Sequence, residues 1–235
     1  MSAFAFRYSV RLPFVARPVS PEWLGVKFLA TLDALTQIDS NIFPDWEVGD
    51  LPAMKGYPLV AARSRIAEII SRNVRRDGYT AAAHTMIRAR SRRMTLCVRT
   101  WMGDVWLNAG DEMVPPDPAI VTYPLFRAAL LATNAIWQQP WGCVQAFRLN
   151  YDQVPLYAGA ALFPYSRFHI PWIAYLGPSL LNGAVSSPDI KTENTPDGGL
   201  LMTATEERLD PTNPEHWRRA RILAEALITG TKLSS

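Results

Sequence analysis

Apolar and polar residues alternate cleanly at the start of the chain. In FAFRYSVRL, Phe4, Phe6, Tyr8, Val10 and Leu12 fall on one face, and Arg7, Ser9 and Arg11 on the other. That period of two predicts a half-buried strand with one wet side. The period then changes. In SPEWLGVKFLATLDALTQID, Leu24, Phe28, Leu32, Leu35 and Ile38 recur at helical spacing. Ser20 stands where an N-cap belongs, Pro21 suits the first helical position and Glu22 complements the helix dipole.

The same reading carries along the chain. Asn41 to Pro58 is rich in proline and glycine and reads as a loop holding Phe43, Trp46 and Tyr57. A helix is expected from about Val60 to Arg75, with Ile66, Ile69, Ile70 and Val74 inward and Asp77-Gly78 as its stop. Thr85 to Ala109 reads as sheet, turning at Met102-Gly103. An acidic, proline-rich loop, Asp111 to Pro118, precedes a helix from about Pro124 to Trp137. Strands follow at Cys143 to Tyr151 and around His169 to Tyr175. Ser186 to Pro196 reads as turn, and Leu200 to Thr205 as a strand. Asn213-Pro214-Glu215 opens a last helix whose inner face is Trp217, Ala220, Leu223, Ala224, Leu227 and Ile228. Strands come in neighbouring runs without strict βαβ alternation. This predicts an α+β fold, a mainly antiparallel sheet covered by about four helices on one face.

Composition narrows the class. At 235 residues, 49% apolar and 19% charged, the chain is globular, and one large domain over 1–235 is expected. No apolar run approaches the roughly 18 residues that span a membrane, and the N-terminus lacks the pattern of a signal peptide. The cytoplasm is the expected compartment. Cys97 and Cys143 both sit in strand-like segments and read as small buried hydrophobes, with no disulfide or metal framework.

Net charge is only +3, but its distribution is uneven. Arg63, Arg65, Arg72, Arg75, Arg76, Arg88, Arg90, Arg92, Arg93 and Arg99 form a block opposed only by Glu68 and Asp77. Just before it, Asp33, Asp39, Asp45, Glu47 and Asp50 face a single Lys55. Two such blocks make either a dipolar surface or a mutual network of ion pairs. The Arg63–Arg99 segment is the best nucleic-acid candidate, yet it has no aromatic residue between Tyr79 and Trp101 on which bases would stack.

Catalytic signatures are weak. Asp197-Gly198-Gly199 precedes a strand and not a helix, so it reads as a turn and not a phosphate loop. Glu206, Glu207, Asp210 and His216 are close in sequence but do not converge as an acid/base pair must. His84 and His169 belong to no metal-binding pattern, and Ser166 and Ser179 have no nucleophile-elbow setting. A hydrolase using His169 or His216 with Glu206 or Asp210 remains one reading. No catalytic residue, metal ligand or cofactor is assigned.

The acidic loop Ile38 to Asp50, IDSNIFPDWEVGD, sets Phe43 and Trp46 among carboxylates. An aromatic anchor ringed by acids suits a surface that grips a basic protein, with Asp45, Trp46, Glu47 and Asp50 as contacts. The other reading has Trp46 stapling the loop to the core.

The order of FRYSVRLP, the Trp-Leu-led helix ending in TQID, the F-P-D-W loop and the closing GGLLMTATEERLDPTNPEHWRRARILAEAL resembles the immunity protein 52 family of bacterial polymorphic toxin and type VI secretion systems. The resemblance spans nearly the whole chain. It implies a cytoplasmic, non-enzymatic protein that neutralises a cognate toxin, with a restriction-endonuclease-like DNase domain as partner. It supplies no contact residues, so the four named above rest on the local reading alone.

Overall fold

The computed structural model describes residues 6–13, 19–43, 45–50, 53, 55–77, 81–87, 91–100, 103–110, 116–148, 169–183 and 187–232. Within these, the chain forms β1 (Phe6–Pro13), α1 (Pro21–Ile38), β2 (Trp46–Asp50), β3 (Lys55–Pro58), α2 (Leu59–Ala62), α3 (Ile66–Asp77), β4 (Ala81–Ile87), β5 (Ser91–Arg99), β6 (Asp104–Ala109), α4 (Tyr123–Trp137), β7 (Trp141–Arg148), β8 (His169–Leu176), β9 (Lys191–Asn194), β10 (Leu200–Thr203) and α5 (Pro214–Lys232). The fold is α+β. One sheet of ten strands runs β3-β2-β4-β5-β6-β1-β7-β8-β10-β9. Every described pairing is antiparallel.

Register places one apolar row across the sheet: Val48, Ala83, Leu96, Leu107, Val10 and Val144 are successive cross-strand partners. Side chains in register share a face, and Val48, Leu96, Leu107, Val10 and Val144, all buried, form part of the floor of the core. Helices α1, α3 and α4 cover that face. Leu24, Phe28, Leu32 and Leu35 of α1 and Leu125, Phe126, Ala129 and Leu130 of α4 are buried there. Tyr8, Phe126 and Trp172 meet in tilted and edge-on contacts with centroids 5.8–6.4 Å apart. Gly142 lets the layers close, since an added Cβ would lie 2.7 Å from Leu12.

Helix starts follow their sequence signals. Ser20 Oγ accepts from Trp23 N at 3.1 Å, and Asn213 Oδ1 accepts from Glu215 N at 2.9 Å. The expected helix at Val60–Arg75 is broken. A short α2 and a 3-10 turn, Arg63–Arg65, lead into α3. Pro58 directs the entry, and Arg63 is held away by Asp33 with contacts of 3.0 and 2.5 Å.

Three strands arise where turn or loop was expected: β2, β3 and β9. All are short, and β3 and β9 lie at the two edges of the sheet. The Asp197-Gly198-Gly199 turn is confirmed. Thr195 O accepts from Gly198 N, and Gly199 O accepts from Thr195 N, both at 2.9 Å. Gly198 has φ +82°, the left-handed conformation of a three-residue hairpin loop. Met102, Gly78 and residues 111–115, which carry other expected turns, lie outside the described residues.

The second face of β1 is not wet. Ser9 is 0% exposed and Arg11 4%. β6 and β7 flank β1, and burial of the arginine is made tolerable by Asp104, whose Oδ2 lies 3.3 Å from its guanidinium. Asp104 also accepts from Arg99 at 2.7 and 2.5 Å and from Trp106 Nε1 at 2.5 Å. The Trp106 ring lies between the two guanidiniums, at 5.1 Å from Arg11 and 4.5 Å from Arg99. Cys143 shares this face. Burial pushes its thiol up to about 12 against the opposing pull of Arg11, so it is an inert, small side chain. No described helix is long and apolar enough to cross a membrane.

Candidate functional site

The acidic segment forms strand β2, and its alternation separates its residues. Trp46 and Asp50 face the helices, 3% and 2% exposed. Trp46 stacks on Phe43 at 5.6 Å and donates Nε1–H to Thr36 Oγ1 at 3.1 Å. Asp50 Oδ2 receives Arg72 of α3 at 2.6 Å, and the adjacent Asn73 Nδ2 donates to Gly49 O at 2.9 Å. These two residues therefore fasten the strand to the core, correcting the expectation of a surface anchor.

Asp45 and Glu47 remain outside. Asp45, just before β2, is exposed, and Glu47 is partly so; alternation turns Glu47 to the face away from the helices. Neither has an ion pair or side-chain hydrogen bond among the described residues, whereas the other acids nearby are engaged. Asp33 holds Arg63, Asp39 accepts from Asn41 N at 2.8 Å and Ile42 N at 3.2 Å, and Glu68 holds Arg65 and Arg72. Glu47 leans outward over β3, where an added Cβ at Gly56 would lie 1.6 Å from its Oε1. Gly56 is thus the gap through which this carboxylate reaches the sheet edge.

The acidic and arginine blocks are joined by Asp33–Arg63 and Asp50–Arg72. Arg65 pairs with Glu68 at 3.1 Å and lies 5.9 Å from the Tyr57 ring. Bonds to these carboxylates hold the Arg63, Arg65 and Arg72 guanidiniums above their ordinary range, and bonds to Arg65 first and then Arg72 hold Glu68 below its own. With Arg99 on Asp104, all four described arginine side chains of the block are engaged. The side chains of Arg75, Arg76, Arg88, Arg90, Arg92 and Arg93 lie outside the description, as do those of His84 and His169 and the whole of Ser166.

Around His216 the geometry is that of a tie. Its Nδ1 accepts from Asp210 N at 3.1 Å, and its Nε2 lies 3.5 Å from the exposed Glu207. The ring is 8% exposed, and Asp210 caps its own turn through Thr212 N at 2.9 Å. Glu206 is paired with Lys191 at 2.6 Å. The carboxylates therefore do not converge on one point beside His216. Among the described residues no group of His, Cys, Asp and Glu is placed to hold a metal ion.

The architecture is therefore that of a broad antiparallel sheet with α1, α3 and α4 packed on one face and α5 packed against β8. A solved structure of the same general fold is the Pseudomonas aeruginosa T6SS protein PA0821. It is 11% identical, with 96% of this chain and 73% of that one aligned at a TM-score of 0.50. No protein-family model matches the chain, and no curated protein does.

Proposed function

We propose that this chain is a non-enzymatic immunity protein that binds and neutralises a cognate toxin of a type VI or other contact-dependent secretion system. The observation that carries the reading is the pair Asp45 and Glu47. Two carboxylates without partners among the described residues flank Trp46, which is locked in the core. Such rigid, unneutralised acids suit a basic partner and hasten its capture. A nuclease is the partner class we favour, because it must expose cations to hold phosphate. The fold likeness to a T6SS protein supports the same setting. The nucleic-acid reading is weaker, since Arg63, Arg65, Arg72 and Arg99 each hold a carboxylate.

The test is co-expression in a sensitive host with the toxin domain encoded beside this chain. Survival, with copurification of the pair, is the expected outcome. Cell death despite soluble protein would overturn the proposal.

A further inference from the structure

The two edges of the sheet are treated differently. On β9, both charged residues are committed. Lys191 holds Glu206 at 2.6 Å, and Glu193 accepts from Arg127 of α4. Charged residues on an edge discourage further pairing, as Lys55 and Pro58 do at the two ends of β3, so a strand added there needs a specific attraction. On β3, Lys55, Gly56 and Pro58 are exposed, and Lys55 has no ion pair among the described residues. Alternate residues of an edge strand direct N–H and C=O groups away from the sheet. At the middle of this edge sits Gly56, paired with Gly49 of β2. Two facing glycines leave the outer surface there without side chains. Into that space Glu47, one strand inward, extends its carboxylate, so that Oε1 occupies the position of the missing Gly56 side chain.

We infer that the β3 edge accepts an extended segment of the partner as an additional strand, with a lysine or arginine of that segment, opposite Gly56, received by Glu47. The inference rests on the immunity reading above and names the chemistry of its contact. Directly opposed side chains on neighbouring strands have Cβ atoms about 5 Å apart. The incoming Cβ therefore lies about that distance from the Glu47 carboxylate, within reach of a basic side chain and too far for a serine or alanine. Backbone pairing supplies the register and affinity, and Glu47 supplies the preference for a cation. The exposed Asp45, two residues away in the chain, adds to the field that draws the segment in. A neutral or acidic segment would instead bring its side chain against an unpaired carboxylate, which selects against it.

Hydrogen exchange of the full chain, alone and bound to the co-encoded toxin domain, tests this. Amides of the 55–57 segment are expected to slow at least tenfold in the complex. The Glu47→Gln variant, which keeps the side chain's shape, is expected to bind about tenfold more weakly with an unchanged melting temperature. Binding with unaltered exchange across 55–57, or full affinity in both Glu47→Gln and Glu47→Lys, would overturn the strand-addition inference and leave the immunity proposal standing. Failure of the wild-type chain to bind or protect would overturn the immunity proposal itself.

Discussion

Trp46 illustrates how one side chain decides what its neighbours are for. Its ring is held by Phe43 and Thr36, so the strand cannot rotate, and Asp45 and Glu47 are kept outward. Trp46→Ala should therefore cost about 3–5 kcal/mol, the range for removing a large buried aromatic. Urea unfolding would measure it, and a loss under about 1 kcal/mol would contradict the placement. Asp104 is the matching case for charge. It is fully buried and shared by Arg11, Arg99 and Trp106. Asp104→Ala should cost about 3–5 kcal/mol, because it strands buried cations. A melting temperature equal to wild type would refute this. Trp46 as a staple to the core was one of the two readings of the sequence, and the structure bears it out; the role of Asp104 was not legible. FPDWEVGD gives the alternation of Trp46 and Asp50 against Asp45 and Glu47 once it is known to be a strand, but its proline and glycine signal a loop. In RYSVRL the arginines signal a wet face, and only the pairing of β6 with β1 brings Asp104 beside Arg11.

Among the elements, the long helices were readable because each carries its own cap and stripe. Ser20, Asn213 and the apolar positions of α4 act over a few residues. The short strands β2, β3 and β9 were not, because a four- or five-residue edge segment is made by its neighbour and not by its own propensity. Two tyrosines fasten the closing part of the chain. Tyr8 Oη donates to Leu209 O at 2.6 Å, and Tyr175 Oη donates to Asp197 at 2.6 Å. Burial pushes both phenols up to about 12, and the Asp197 carboxylate adds to the rise at Tyr175. The bonds from Thr195 and Tyr175 hold Asp197 below its ordinary range. The sign for the tyrosines is fixed by linkage. Below pH about 10 neither state ionises them, and between about 10 and about 12 only the unfolded chain does. Stability should thus be full below pH 10 and fall towards pH 12. Tyr8→Phe should flatten that fall, as read from unfolding free energies across the window. A wild-type curve with the same slope as the variant would contradict the tyrosine assignment.

At the scale of the whole molecule, the described arginines of the basic block spend their charge on internal ion pairs. Asp33–Arg63 and Asp50–Arg72 tie the acidic block to the arginine block and close α3 over β2. Asp45 and Glu47 are left as the outward remainder beside an open sheet edge. Charge reversal at Asp50 is thereby unsuitable as a binding probe, since it would place a cation in the core against Arg72. The α+β class was legible because strand runs and capped helices are local signals. The edge site was not, because it depends on Gly56 lying beneath Glu47, a contact that the sequence separation of the two strands conceals.

The central claim is that these two carboxylates steer a basic toxin domain onto the chain, and the association rate of the purified pair at low salt tests it most directly. The Asp45→Lys/Glu47→Lys variant should associate at least tenfold more slowly than wild type, with a difference that shrinks as salt is raised. Equal association rates at low salt, with both proteins folded, would contradict the account.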